Sequence, residues 1–194
     1  MSEFNVTILA SGSGTNAEEI MHYFLGHEHI QVVGLFSNKP DAYALIRAEK
    51  FKIPTKVFSK AQWQDGTVLS WLKENRTTHI VLAGFLWLVP QHVIEAFDNR
   101  IINIHPALLP KFGGKGMYGG KVHEAVKAAG EKETGISIHL VNEKYDEGEM
   151  LFQAKCSVEI NDTAEDIAKK IHQLEYAHYP KVIEQWILGE RVSG

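Results

Sequence analysis

The sequence has only one cysteine, Cys156, so no disulfide can form within the chain. A sequence without disulfides fits a protein of a reducing compartment. Long hydrophobic runs are also missing, because the longest, Ile80–Val89, stops at Pro90 and falls far short of the ~20 apolar residues that span a bilayer. The N-terminal residues Met1–Asn5 lack the basic head and the apolar stretch of a signal peptide. We therefore expect a soluble, cytoplasmic protein.

An excess of basic charge is absent as well. The 194 residues include 24 acidic and 20 basic side chains, which gives a formal net charge of −4. Such a protein is not expected to attract nucleic acid or anionic lipid over a broad surface, although a local phosphate site is compatible with it. Chains of about 100–200 residues usually fold around one core, so we predict a single domain over residues 1–194.

Short apolar runs alternate with segments of helical periodicity along most of the chain. Val6–Ala10 has the pattern of a buried strand, and the apolar residues that follow at i, i+3, i+4 and i+7 are Ala17, Ile20, Met21 and Phe24. This alternation is typical of βαβ units. It predicts further strands at Ile30–Phe36, Pro54–Phe58, His79–Phe85 and Ile101–Ile104, and helices at Ala42–Phe51, Val68–Leu72, Pro90–Phe97 and His123–Ala129.

The last third of the chain has a different pattern. After a glycine-rich segment, Leu108–Lys121, which we predict to be a long loop, two strands at Gly135–Val141 and Met150–Val158 follow one another without a helix between them. A final amphipathic helix is predicted from Asp162 or Thr163 to Leu188. The predicted fold is α/β and Rossmann-like, a doubly wound, mostly parallel sheet with helices on both faces and a late antiparallel strand pair.

A glycine-rich turn, Ser11–Asn16, joins the first predicted strand to the first helix. Unpaired backbone N–H groups at such a helix start attract an anion, and glycine lets the backbone approach a phosphate closely. Doubly wound folds hold phosphates at this position, so we favour anion binding over a plain turn with Thr15 or Asn16 as the N-cap. The turn lacks the third glycine of a dinucleotide fingerprint and is not followed by Gly-Lys-Ser/Thr, so a monophosphate is the predicted anion.

A second candidate site is Asn103-Ile104-His105-Pro106, at the end of a predicted strand. Residues two apart on a strand face the same side, so Asn103 and His105 project together. An amide donor beside an imidazole can stabilise a developing oxyanion and move a proton in the same step. The alternative is a polar pair that caps neighbouring backbone, but Pro106 and the long loop behind it favour a site.

A third candidate is Asp146, within Tyr145–Gly148. Asp-x-Gly sequences are ordinary turns, and on its own this one would be a turn. A carboxylate near His105 would raise the pKa of the imidazole and hold its orientation. We predict no metal site, because His27-Glu28-His29 lacks the helical spacing of zinc ligands.

Together, these motifs resemble the phosphoribosylglycinamide formyltransferase family. The segments that occur in the order typical of that family are Ser11–Asn16, Ala83–Leu86, Asn103–Lys111, Tyr145–Gly148 and Glu175–Pro180, so the resemblance covers nearly the whole chain. It implies a Rossmann-like enzyme of purine biosynthesis. That enzyme would transfer a formyl group from 10-formyltetrahydrofolate, its co-substrate, to the amine of 5-phosphoribosylglycinamide, without a metal.

The resemblance also implies roles for individual residues. Asn103, His105 and Asp146 match the catalytic residues of the family. Asn103 and a protonated His105 would stabilise the charge on the formyl oxygen of a tetrahedral intermediate. Asp146 would keep His105 protonated and assist proton transfer.

Two sets of binding residues follow from the same resemblance. The implied contacts to the phosphorylated substrate are Gly14, Thr15 and Asn16 for the phosphate, Glu175 for the ribose, and His123. The implied folate contacts are Leu86, Trp87, Leu88 and Val89, with Asn103 beside the pterin and Lys60 as a basic contact. The implied partners are these two small molecules, with no nucleic acid or membrane, and the chain is expected to be a monomer or a weak homodimer.

Two other interpretations stay open. A related formyl transferase that acts on another amine, or a formyl-folate hydrolase, would use the same catalytic motifs, although such relatives usually have an extra domain for which 194 residues leave no room. A nucleotide-binding regulatory module would use the glycine turn and the sheet alone.

Overall fold

The computed structural model describes residues 3–192, so Met1 and Ser2, which begin the segment used above to argue against a signal peptide, lie outside it. The chain divides into two compact units, residues 1–102 and 103–194, and each is described by itself. The expectation of one domain over residues 1–194 stays a prediction.

The first unit contains four parallel strands and five helices. Its strands are β1 (Phe4–Leu9), β2 (Ile30–Ser37), β3 (Thr55–Val57) and β4 (His79–Leu82), and its helices are α1 (Thr15–Tyr23), α2 (Tyr43–Lys50), α3 (Lys60–Gln64), α4 (Thr67–Glu74) and α5 (Gln91–Ala96). The strands are ordered β3-β2-β1-β4, with β1 paired to both β2 and β4. The chain therefore winds outward from β1 to β3 and returns to the other side of β1 at β4.

Burial explains why these segments form strands and helices. Consecutive residues Val6–Leu9 of β1 are all buried, which requires cover on both faces of the strand, as in a parallel sheet. In α1 the buried residues are Ala17, Ile20 and Met21, on the face that the periodicity predicts. The sequence signal and the packing agree here because both follow from the same apolar spacing.

The second unit begins within β5 (Ile101–His105) and continues through α6 (Gly120–Ala128), β6 (Glu133–Leu140), β7 (Met150–Ser157) and α7 (Ala164–Leu188). Strands β6 and β7 are antiparallel, with Ile136 opposite Ala154 and Ile138 opposite Phe152. The sheet order is β3-β2-β1-β4-β5-β6-β7. The predicted Rossmann-like α/β fold, with its mostly parallel sheet and late antiparallel pair, is confirmed.

Several predicted boundaries were wrong for identifiable reasons. Helix α3 was missed because it has only five residues, although Ser59 and Gln62 form a capping box at its start. Strand β4 stops at Leu82 rather than Phe85, since Gly84 adopts a positive φ that ends the extended chain. Pro90 is the N-cap of α5 and not its first helical residue, because its ψ of 149° is extended.

None of the helices in residues 3–192 combines the length and the apolar composition needed to cross a bilayer.

Candidate active site

Strand β5 has two polar side chains near its end, Asn103 and His105, and a half-buried carboxylate, Asp146, lies beside His105, all within the second unit. Its last residue, His105, is buried, and Nδ1 of its ring lies 3.5 Å from Oδ2 of Asp146. The other ring nitrogen, Nε2, lies 2.7 Å from the carbonyl oxygen of Phe112 in the loop that follows β5. The predicted proximity of His105 and Asp146 is therefore present in the structure.

Asp146 adopts a positive φ of 56° in the connection between β6 and β7, and this turn directs its carboxylate inward. Its Oδ2 accepts a hydrogen bond of 2.9 Å from the backbone N–H of Gly114, and its Oδ1 lies 3.6 Å from Nε2 of His139. Burial opposes ionisation of this group, but His139, His105 and the Gly114 N–H together outweigh burial and lower the pKa of Asp146. Asp146 is thus an anion near neutral pH.

His139 is a member of the site that the sequence analysis did not identify. It is buried in β6, its Nδ1 lies 2.7 Å from the carbonyl oxygen of Leu140, and its Nε2 lies 3.2 Å from Nδ2 of Asn103. Because the Leu140 carbonyl can only accept, Nδ1 of His139 donates to it, and Nε2 lies near both the Asn103 amide and Oδ1 of Asp146. His139 therefore contacts both the Asn103 side chain and the Asp146 carboxylate and helps to hold the two in place.

The pKa of His105 is set by influences that oppose one another. Burial lowers the pKa of His105 below its ordinary value, while the Asp146 carboxylate and the Phe112 carbonyl act in the opposite direction. Burial thus favours the neutral imidazole in the free protein, and the protonated His105 that the family resemblance implies for the reaction stays a prediction. Because the Phe112 carbonyl can only accept, Nε2 of His105 donates to it, and Nδ1 faces the Asp146 carboxylate.

A serine on β6 fixes the loop that leaves β5. Oγ of Ser137 donates to the carbonyl oxygen of Ala107 at 2.7 Å and accepts from the backbone N–H of Leu109 at 2.9 Å. The side-chain amide of Gln153 donates to the same oxygen at 2.8 Å. These contacts direct the loop toward His105, where the carbonyl of Phe112 meets the imidazole.

A second polar cluster in the same unit lies around Glu175 on α7. This carboxylate is buried, and its Oε2 lies 2.8 Å from Nδ1 of His172 one turn earlier. That hydrogen bond, against a smaller opposing effect of burial, raises the pKa of His172. His123 on α6 is also buried, and its Nδ1 has no hydrogen-bond partner among the residues that the structure describes.

The electrostatic field of this cluster extends to His123. Burial lowers the pKa of His123, the charges of His172 and His105 lower it further, and Glu175 raises it. The cluster thus combines one carboxylate with a neutral imidazole that has an unused ring nitrogen. Such a pair can bind hydroxyl groups, because the carboxylate accepts and the imidazole accepts or donates.

In the first unit, the glycine turn has the geometry of an anion site. Gly14, with φ of 73°, is the N-cap of α1, and no side chain caps the helix. The alternative in which Thr15 or Asn16 is the N-cap is wrong, because both are already helical. The first backbone N–H groups of α1 therefore remain available to an anion.

The backbone of this turn approaches α2 closely. A Cβ added at Gly14 would lie 2.5 Å from the Cα of Ala44. Arg47 of α2 donates from Nε to the carbonyl oxygen of Ser13 at 2.8 Å and forms an ion pair with Glu18. The one acidic side chain in the first turn of α1 is thus neutralised, which keeps the helix start receptive to a negative charge.

The predicted folate segment, Leu86–Val89, lies beyond β4 without regular secondary structure. Trp87 packs against Phe58 and Phe85, with ring centroids 6.0 and 6.5 Å away. Lys60, the first residue of α3, is exposed. The structure thus places Trp87 in an aromatic cluster.

Metal ligands are not grouped in the described part of the chain, where no three His, Cys, Asp or Glu side chains are arranged to hold an ion.

Comparisons with known proteins indicate the family of this chain. A family model described as formyl transferase matches residues 4–183. The phosphoribosylglycinamide formyltransferase of Haemophilus influenzae is 33% identical over 190 residues, covering 95% of this chain and 87% of that relative. The chain belongs to the formyl transferase family.

Two further relatives of this formyl transferase support the resemblance that its motifs indicate. The chloroplastic phosphoribosylglycinamide formyltransferase of Arabidopsis thaliana is 40% identical over 195 residues, and the match spans 97% of this chain but 66% of the plant protein. The crystal structure of phosphoribosylglycinamide formyltransferase from Anaplasma phagocytophilum superimposes with a TM-score of 0.88 at 31% identity, covering 97% of this chain and 89% of that one. The predicted family resemblance is confirmed.

Proposed function

We propose that this formyl transferase moves a formyl group from 10-formyltetrahydrofolate to the amine of 5-phosphoribosylglycinamide. The observation that supports this most is the cluster of Asn103, His105, His139 and Asp146 around the end of β5. The relatives named as phosphoribosylglycinamide formyltransferases point to the substrates. The proposal includes a cytoplasmic enzyme that acts on small molecules and needs no metal, as the sequence analysis expects.

Asn103 supplies the donor that formyl transfer needs. When the amine attacks the formyl carbon, negative charge develops on the formyl oxygen. An N–H of the Asn103 amide donates to that oxygen, and the contact of Nδ2 with Nε2 of His139, 3.2 Å away, orients the amide before the substrate arrives. Losing one such donor typically lowers the rate ~10²–10³-fold.

His105 and Asp146 carry out the proton transfers of the reaction. A neutral His105 accepts a proton as the amine loses one, and the resulting imidazolium is stabilised by the Asp146 carboxylate 3.5 Å away. The imidazolium then donates to the charged oxygen or to the leaving nitrogen. Acid–base assistance of this kind contributes roughly 10²–10⁴ in rate.

Separate regions of the chain bind the two substrates. The N–H groups of Gly14, Thr15 and Asn16 bind the substrate phosphate, which needs no basic surface on a chain with a net charge of −4. Glu175 accepts hydrogen bonds from the ribose hydroxyls, and His123 offers its unused nitrogen beside it. The segment Leu86–Val89 receives the folate, with Lys60 as the basic contact that the family resemblance implies.

Steady-state assays with both substrates test the proposal. The wild-type protein should form formylated product, and Asn103→Ala and His105→Ala should each lower kcat at least ~10²-fold, since each removes a group that acts on the reacting atoms. Matched controls are Asn161→Ala and His22→Ala, at exposed positions. A catalytic rate unchanged by either site variant would contradict the mechanism, and absence of formyl transfer by the wild type would contradict the function.

Calorimetric measurement of ligand binding distinguishes the enzyme from a nucleotide-binding regulatory module. Tight binding of a dinucleotide, together with no binding of folate, would favour the nucleotide-binding module instead.

A further inference from the structure

One buried serine connects three loops of the first unit. Oγ of Ser11 accepts the backbone N–H of Leu86 at 3.0 Å and donates to Oδ1 of Asn38 at 2.6 Å. The backbone N–H of Ser11 donates to the carbonyl oxygen of Gly84 at 3.1 Å. Ser11 has 3% of its surface exposed, so water does not compete for these bonds. The loops after β1, β2 and β4 thus meet at a single side chain.

A tryptophan holds the same segment at a second backbone atom. The indole Nε1–H of Trp63 donates to the carbonyl oxygen of Leu88 at 3.0 Å. The ring is buried and packs against Phe58 and Phe85, with centroids 5.2 and 5.6 Å away. Two side chains from distant parts of the sequence therefore fix the N–H of Leu86 and the carbonyl of Leu88.

The position of these anchors in the fold indicates a binding role. Strand β1 lies between β2 and β4, so the winding direction reverses between β1 and β4. Ligands of open α/β sheets bind outside the carboxyl ends of the strands at such a reversal. Ser11 follows β1 and Leu86 follows β4, and the bond between them bridges that point.

We propose that Ser11 and Trp63 are positioning residues for the folate segment Leu86–Val89, and that Ser11 couples occupancy of the glycine turn to folate affinity. This proposal rests on the proposed function, because it takes the folate and phosphate sites from there. Ser11 begins the turn whose N–H groups bind phosphate and also accepts the Leu86 N–H, so an anion on the turn and a ligand on the folate segment act on the same buried side chain. Folate then binds a segment that is already in place.

The first experiment measures the affinity for tetrahydrofolate by calorimetry, with and without saturating inorganic phosphate. Phosphate should tighten tetrahydrofolate binding to the wild type. Trp63→Phe keeps an aromatic ring but loses the bond to Leu88, so its Kd should rise about tenfold, equivalent to ~1.4 kcal/mol, while the effect of phosphate persists. Ser11→Ala should raise the Kd and abolish the effect of phosphate.

Steady-state kinetics separate positioning from general destabilisation. Trp63→Phe should raise the KM for 10-formyltetrahydrofolate while the KM for 5-phosphoribosylglycinamide and kcat stay near their wild-type values. The matched controls are Ser70→Ala, on an exposed face of α4, and Trp71→Phe, which packs against Phe36. Thermal unfolding verifies that each variant is folded, and Ser11→Cys replaces Ser11→Ala if the latter unfolds.

The outcomes are distinct. A wild type that binds no tetrahydrofolate contradicts the proposed function itself. A wild type that binds it, with Trp63→Phe and the Ser11 variant binding equally well, overturns the positioning role alone. An effect of phosphate that is absent in the wild type, or unchanged in the Ser11 variant, overturns the coupling.

Discussion

At the scale of single residues, the site depends on how one carboxylate influences two imidazoles. Asp146 is shared between His105 and His139, at 3.5 and 3.6 Å, and it is the largest influence that opposes the effect of burial on His105. Removing its charge should therefore lower the pKa of His105 further, because burial then acts with less opposition. Asp146 thus decides how readily His105 takes a proton.

Asp146→Asn tests this relation. We expect kcat to fall ~10²–10⁴-fold, since the imidazolium loses its stabilising anion. Titration of the His105 ring by NMR should give a lower pKa than in the wild type, and Asp41→Asn, at an exposed position, should change neither quantity. A His105 pKa that rises in Asp146→Asn would show that the carboxylate does not act through charge.

At the scale of elements, the glycine turn is defined by its close approach to α2. Gly14 and Gly26 have nearly equal φ values, 73° and 75°, and lie at opposite ends of α1. A Cβ at Gly26 meets nothing within 4 Å, whereas one at Gly14 meets the backbone of Ala44 at 2.5 Å. The two positions therefore separate the strain of a positive φ from a steric clash.

Gly26→Ala should lower the free energy of unfolding by about 1 kcal/mol, the typical cost of a left-handed alanine. Gly14→Ala should cost about 3 kcal/mol, because overpacking adds to that strain. Urea unfolding of both variants measures the difference. Equal costs would mean that α2 moves away freely and that the turn is not held by Ala44.

The sequence predicts elements well where a repeated spacing determines them. The apolar periodicity of α1 and the paired polar residues Asn103 and His105 both follow from residue order alone. His139 shows the limit, because its strand was predicted but its contact with Asn103 depends on how strands pair across the sheet. A signal was present, since Ser137 and His139 are polar residues two apart within the otherwise apolar stretch Ile136–Leu140, the same pattern as in β5.

At the scale of the whole molecule, buried histidines make stability depend on pH. Burial, with a smaller effect of Arg100, lowers the pKa of His79 from 6.5 to about 4, and burial also lowers the pKa values of His105, His123 and His178. Below pH 6.5 the unfolded chain binds protons that the folded chain excludes. The free energy of unfolding therefore falls as the pH falls from 6.5 toward 4.

His172 acts in the opposite sense, because its hydrogen bond to Glu175 raises its pKa above 6.5. Its contribution to stability is therefore full below pH 6.5 and is lost as the pH rises through the raised pKa. The raised pKa of one histidine does not offset the lowered pKa values of the four others, so we expect a lower urea midpoint of unfolding at pH 5 than at pH 7. His79→Gln should flatten this dependence, since it removes the one histidine whose pKa falls to about 4, whereas His22→Gln, at an exposed position, should leave it unchanged. A midpoint that rises on acidification would mean that the His172–Glu175 pair outweighs the buried neutral imidazoles.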